Sequence, residues 1–192
     1  MPAKKRIFVA INLPNSVKED LAEAIDRIRP LLGKEVRFLD QENQHLTISF
    51  LGYQDDASVG LISEALEAAV SELDAPFIQF DKIVYGPVGK PPRMIWLIAS
   101  KETSEVLGKI QRALEEEMIA RNVPFRQENR KFLAHLTIAR FETTPKSDLP
   151  VMDILFPGSF DGESLDLMES HLKRSGAEYE ILSKYDFPFS SN

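Results

Sequence analysis

The sequence predicts an α+β fold of two lobes related by a pseudo-twofold axis, each an antiparallel sheet with helices, with an active-site cleft between them. Three observations lead there. The tetrapeptide His-Leu-Thr-Ile occurs at His45 and again at His135. The order strand, helix, strand, strand runs through the chain twice, with nearly preserved spacing. Within each run the apolar residues switch between alternation and helical spacing, so both element types recur.

Taken in order, Arg6 to Leu13 alternates as a strand, and Ser16 with Glu19 has the spacing of a capping box that opens a helix. Val17, Leu21, Ile25 and Ile28 form its apolar face, and Pro30 and Gly33 close it. A short strand at Val36 to Leu39 leads into a longer one from His45 to Leu51, which Gly52 is expected to end. The next helix carries Leu61, Ile62, Ala65, Leu66, Ala69, Val70 and Leu73, and a strand from Phe77 to Tyr85 follows. The second run has a strand at Met94 to Ile98 and a helix with Val106, Ile110, Ala113, Leu114 and Met118. Val123 to Arg126 then precedes the strand from His135 to Phe141.

Ile7-Phe8-Val9 aligns with Ile95-Trp96-Leu97 at an offset of 88 residues, and His45 with His135 at an offset of 90, while Gln-Glu-Asn precedes each histidine. The chain therefore reads as one domain, 1–192, built from an internal duplication: a first copy at about 6–86, a second at about 93–172 and a final strand at about 178–188. The last quarter predicts a helix near Lys146 to Leu155, a strand within Leu165 to Leu172 and a turn at Ser175-Gly176.

With 192 residues, 43% hydrophobic, the chain can bury a full core. The Lys4-Lys5-Arg6 run is followed by only five apolar residues before Asn12, too few for a signal peptide, and no stretch is long enough for a membrane helix. The lack of cysteine excludes disulfides, thiolate nucleophiles and sulfur-ligated metals. A cytoplasmic monomer is the expectation. A net charge of -7 argues against coating nucleic acid through a global basic field. Yet Arg121, Arg126, Arg130, Lys131 and Arg140 cluster around the second tetrapeptide with Glu128 as the one acid among them, so an anion would be welcome there.

Strict alternation puts His45, Thr47 and Ser49 on one face and Leu46, Ile48 and Phe50 on the other. In the second copy His135, Thr137 and Ala139 share a face. Three histidines make three pairs, and matching three following residues at about 0.07 per position gives a chance repeat of roughly one in a thousand. A lone buried histidine is more often a satisfied core residue than a catalyst, but two paired His-x-Thr units are a costly way to fill a core. Two imidazoles suit phosphodiester cleavage, because a pKa near ~6.5 lets one ring be neutral and the other protonated at neutral pH. Threonine hydroxyls can bond the phosphate oxygens. No metal or cofactor is required, and no His-x-x-x-His or clustered His-Asp signature is present.

These two motifs, the opening Arg6-Ile-Phe-Val-Ala-Ile, Phe50-Leu-Gly52 after the first histidine and Ala139-Arg140 after the second resemble the two-histidine (2H) phosphoesterase superfamily. Within it the chain is similar to the RNA 2',3'-cyclic phosphodiesterase (2'-5' RNA ligase) family over nearly its whole length. The resemblance implies a bilobal α+β fold and metal-independent hydrolysis of an RNA terminal 2',3'-cyclic phosphate to a 2'-phosphate. It implies His45 as proton donor to the departing 3' oxygen, His135 as the base that activates water, and Thr47 and Thr137 as phosphate ligands. Reverse 2'-5' ligation would be a minor activity. Ala134 stands where relatives often have proline, and Leu39 is non-aromatic in the strand before the first motif; neither removes a reacting group.

Phe50 and Arg140, each five residues after a histidine, would contact base and phosphate if a bulge turned them into the cleft; otherwise Phe50 is core and Arg140 an ion-paired or snorkelling arginine. Arg130 and Lys131 could extend a positive rim, as could Arg93. His171 reads as a strand-end residue and Trp96 as core. Alternatives are action on another small cyclic or 2'-5' linked nucleotide, or a catalytically silent RNA-binding module. The expected partners are RNA ends or oligonucleotides bearing the cyclic phosphate, with no membrane and no obligate protein partner.

Overall fold

Alternating apolar residues at one end of the chain and again in its middle give the two strands around which the sheets assemble, β1 (Lys5–Asn12) and β5 (Met94–Ala99). The computed structural model describes residues 4–143, 149–173 and 176–188. The other strands are β2 (Val36–Phe38), β3 (His45–Gln54), β4 (Phe77–Gly86), β6 (His135–Phe141), β7 (Asp153–Leu155), β8 (Ser159–Asp161), β9 (Ser164–Lys173) and β10 (Gly176–Asp186). The helices are α1 (Asn15–Ile28), α2 (Asp56–Ser71) and α3 (Lys101–Ala120). One sheet has the order β10-β9-β1-β3, the other β2-β6-β5-β4-β7 with β8 beside β4, and every pairing is antiparallel. The α+β fold with two antiparallel sheets is as the sequence predicts.

Each sheet takes strands from both sequence repeats. β2 pairs with β6, β4 with β5, and β9 with β1. α2 and α3 pack on one another, and α3 touches β3 of one sheet and β4 of the other. The main apolar cluster is therefore continuous through both sheets. No helix among the described residues is long and apolar enough to cross a membrane.

The predicted helix faces are buried, with local corrections. Val17, Leu21, Ile25 and Ile28 are buried in α1, but the capping box is absent: the helix starts at Asn15 behind Pro14, with no side-chain cap. Proline's fixed φ sets the entry instead. Asp55 and Ser100 cap α2 and α3 by accepting from the Ser58 and Thr103 amides. Leu61 and Val106 lie on exposed flanks, and Leu107 takes the core position in α3. Val123 to Arg126 forms no strand. Of the helix expected near Lys146 to Leu155, residues 144–148 lie outside the described residues and Asp153–Leu155 is strand β7. Ser175 of the expected turn also lies outside them.

β3 is longer than its partner strand and bulges twice. Val9 faces Ser49 while Ala10 faces Thr47, leaving Ile48 unmatched; Ile7 faces Gly52 while Phe8 faces Phe50, leaving Leu51 unmatched. Gly52 does not end the strand, which runs on to Gln54. It takes φ +72°, a left-handed conformation that favours glycine. β6 bulges at the equivalent place, since Ile95 faces Ala139 and Trp96 faces Thr137, leaving Ile138 unmatched. The displaced carbonyls are satisfied from outside the ladder. Gln111 Nε2 donates to Ile48 O at 3.0 Å, Gln54 Nε2 to Leu51 O at 2.5 Å, and the Leu39 amide to Ile138 O at 2.9 Å.

Gln111 is buried, so its loss strands a buried carbonyl. Gln111→Leu is expected to lower unfolding stability by about 1–3 kcal/mol in urea titration; wild-type stability would show that the Ile48 bulge does not need the amide.

Candidate active site

Directly opposed residues of neighbouring strands share a face, so the register tells what β3 presents. His45 lies opposite Asn12, Thr47 opposite Ala10, Phe50 opposite Phe8 and Tyr53 opposite Arg6. Alternation along β1 puts Arg6, Phe8, Ala10 and Asn12 on one face. Hence the bulges bring Phe50 and Tyr53 onto the face of His45 and Thr47, and both rings are about 60% exposed. Ser49, expected beside them, is instead buried on the core side opposite Val9. In β6 the same shift gives His135, Thr137 and Arg140 one face, while Ala139, expected with them, is fully buried.

The partner strands are equivalent at an offset of 86, since Asn12 faces His45 and Ile98 faces His135. This corrects the sequence alignment by two residues and matches Trp96 with Ala10 rather than Phe8. Trp96 is not merely core, because its ring lies 4.0 Å from the His135 ring, tilted by 36°. Gly86 makes room for it: a Cβ there would meet the indole at 2.3 Å. His45 packs against Phe8 at 5.0 Å and edge-on against Tyr179 at 4.8 Å. Sequence reasoning named Phe8 and Trp96 in its repeat but not their contacts with the histidines, and it gave Tyr179 no role, since these contacts cross strands.

Burial pushes the His45 imidazole down to about 4; the Asn43 carbonyl opposes this, and the charges of Arg140 and Lys18 add to it. Burial likewise lowers His135, with the Leu133 carbonyl opposing and Arg130 adding. Both rings are therefore neutral at pH 7 in the free protein. Burial thus favours the neutral form of both rings in the free protein, so the protonated ring that the sequence reading expects needs more tuning than an exposed imidazole would. His135 Nδ1 lies 2.8 Å from Leu133 O, so the neutral ring holds its proton there and turns a bare Nε2 outward. The Asn43 carbonyl is the matching atom for His45, but Nδ1 of that ring is buried without a closed hydrogen bond.

Arg140 comes from β6 and acts on the histidine of β3, which ties the two faces together across β3 and β6. Among the described residues, the charges that shift the two rings are Arg140 and Lys18 at His45 and Arg130 at His135, all cationic. Asp166, a fully buried acid, is occupied by Ser164 Oγ and Asn12 Nδ2, each at 2.6 Å. Thr137 Oγ1 has only the Met94 sulfur, at 4.0 Å, and Thr47 Oγ1 has no partner among the described residues. Among the described residues neither hydroxyl bonds a nitrogen or an oxygen.

Arg130 is exposed and bonded to Glu128 at 2.5 Å, which weakens it as an anion ligand. Lys131 and Arg93 are exposed, with no acid bonded to either among the described residues. His171 lies on the face of β9 opposite the one that carries Met168 and Phe8. With Glu169 and Glu180 it forms the one group among the described residues able to hold a metal, with ligand atoms within 4.8 Å. Neither His45 nor His135 belongs to it, and Lys5 already lies close enough to feel both carboxylates.

The LigT-like phosphoesterase family profile matches residues 11–96, which include the first motif. A Thermus thermophilus protein named RNA 2',3'-cyclic phosphodiesterase is 30% identical over 182 residues, covering 94% of this chain and 89% of that one. A Thermotoga maritima protein of the same name is 28% identical over 184 residues, covering 95% of each. Among solved structures, one from Thermus thermophilus has a TM-score of 0.79 at 24% identity, covering 95% of this chain and 97% of the other. E. coli LigT complexed with 3'-AMP has a TM-score of 0.77 at 20% identity, covering 96% and 98%. The two solved structures share the fold.

Depressed histidines make stability depend on pH with a definite sign. As pH falls through 6.5 toward 4, the unfolded chain binds a proton that folded His45 refuses, so stability present above 6.5 is progressively lost. The fall in urea midpoint between pH 7 and pH 5 is expected to be smaller in His45→Gln than in the parent; equal falls would contradict a buried neutral ring.

Proposed function

Because the chain belongs to the LigT-like phosphoesterase family, we propose that it hydrolyses RNA terminal 2',3'-cyclic phosphate to a 2'-phosphate, using its own side chains and no metal. The observation that carries this reading is the pair of bulged strands, which give His45 with Thr47 and His135 with Thr137 matching faces among cations.

His135 Nε2 takes a proton from water as the water oxygen bonds to phosphorus. The bond from phosphorus to the 3' oxygen breaks, and His45 Nε2 donates a proton to that oxygen. Thr47 and Thr137 donate to the non-bridging oxygens, where charge grows. The Leu133 carbonyl supports the base role of His135, because it fixes the tautomer whose Nε2 is a lone pair. The donor needs a proton that burial disfavours, and the bound phosphate anion supplies the field that restores it. Phe50 offers a face to the terminal base and Arg140 a guanidinium to phosphate, while Arg130 contributes at longer range.

With a 5' hydroxyl in place of water the same displacement yields a 2'-5' linkage, a minor route in water. The proposal includes a cytoplasmic monomer, a single domain of duplicated halves, and RNA ends as partners.

On RNA ending in a 2',3'-cyclic phosphate, His45→Ala and His135→Ala are each expected to lose on the order of 10²–10⁴-fold in kcat. Thr47→Ala and Thr137→Ala should lose roughly 10–100-fold, EDTA should have no effect, and the product should be a 2'-phosphate. Retained activity in either histidine variant would sink the acid-base pair, and binding without turnover in the parent would point to a silent module.

A further inference from the structure

β2 is three residues long, and its register sets Arg37 directly opposite Arg140. Like charges opposed across two strands repel, so such a pair costs stability unless an anion lies between them. The chain has acids to spare, with 30 Asp and Glu against 23 Lys and Arg. Four other arginines use them: Arg121 bonds Glu117, Arg130 bonds Glu128, and Arg27 and Arg29 meet Glu23 and Asp26, whereas Arg93, like Arg37 and Arg140, has no acid bonded to it among the described residues. Arg37 and Arg140 are both exposed, and among the described residues no acid bonds to either.

Their place follows from the ladder. Met94, uncharged, flanks Arg140 on the other side. The row Met94, Arg140, Arg37 lies two β5 residues from the row of Trp96 and Thr137, about 7 Å along the strand. The pair thus shares the cleft face of Thr137 but sits one step away from it. Two planar guanidinium forks side by side match the oxygens of a phosphodiester.

We propose that Arg37 and Arg140 form a second anion site, which takes the internucleotide phosphate next to the terminal cyclic phosphate of an RNA chain. The inference rests on the hydrolytic reading above and deepens it, because Arg37 would favour an RNA chain over a cyclic mononucleotide at the same site. Arg140 is shared, since its charge also reaches His45, whereas Arg37 belongs to the second phosphate.

The test compares uridine 2',3'-cyclic phosphate, with one phosphate, against the dinucleotide ApU 2',3'-cyclic phosphate, with two. Equilibrium binding of the products, uridine 2'-phosphate and ApU 2'-phosphate, is measured beside turnover. Arg37→Gln is expected to weaken the dinucleotide about ten-fold more than the mononucleotide, in KM and in product binding. The salt slope for the dinucleotide should fall by about one. The thermal midpoint should stay level or rise, because a repulsion is relieved. Equal weakening of both ligands, no weakening of either, or a lowered midpoint accompanying a uniform loss would overturn it. If the parent binds the products but hydrolyses neither substrate, the hydrolytic reading fails while the binding difference still decides the site.

Discussion

Ile48 in β3 and Ile138 in β6 are each one residue more than the partner strand can match, and the contents of the cleft depend on that mismatch. A strand of strict alternation would send Phe50 and Arg140 into the core, where a guanidinium without a partner is costly. The extra residue changes the phase after His-x-Thr, so the third member of each face arrives five positions after its histidine rather than four. It also leaves carbonyls outside the ladder, and Gln111, Gln54 and the Leu39 amide close them. Packing of α3 on β3 is thereby coupled to the placement of the histidine strand.

The second constraint is electrostatic. Phe8, Tyr179 and Trp96 cover the two imidazoles, and cover lowers proton affinity. Cations then surround both rings although the whole chain is acidic, so the cleft is poised for an anion and holds little positive charge on the histidines at rest. In the proposed reaction a bound phosphate would reverse this balance by favouring an imidazolium. The differing Nδ1 environments, closed on Leu133 O in one ring and open in the other, break a symmetry that the paired motifs leave intact.

Much of this was legible in the sequence, because periodicity and repetition are properties of neighbours along the chain. His45, Thr47, His135 and Thr137 share their motif and their expected faces, and the faces of the three helices were readable apart from Leu61 and Val106. What was not legible depends on pairing. Ser49 and Ala139 were assigned to the wrong face because bulges are set by the partner strand, and Trp96, buried as expected, carries a contact with His135 that no local pattern shows because it spans two strands. The strand in place of a helix at Asp153–Leu155 is a tertiary override: three residues gain a ladder on β4 that local propensity does not foresee. Arg37 had no signal at all, since its meaning lies in what stands opposite it.

The proposed mechanism needs two imidazoles, neutral in the free protein, that both act on one phosphate, with the tautomer of His135 set by Leu133 O. Long-range ¹H–¹⁵N NMR of the ring nitrogens at pH 7, titrated with a nucleoside 2'-phosphate, reads this directly. Both rings are predicted to be neutral in the free protein, and both Nε2 resonances to move together on binding while Nδ1 of His135 keeps its proton. A ring already protonated without ligand, or one histidine that does not respond, would contradict it.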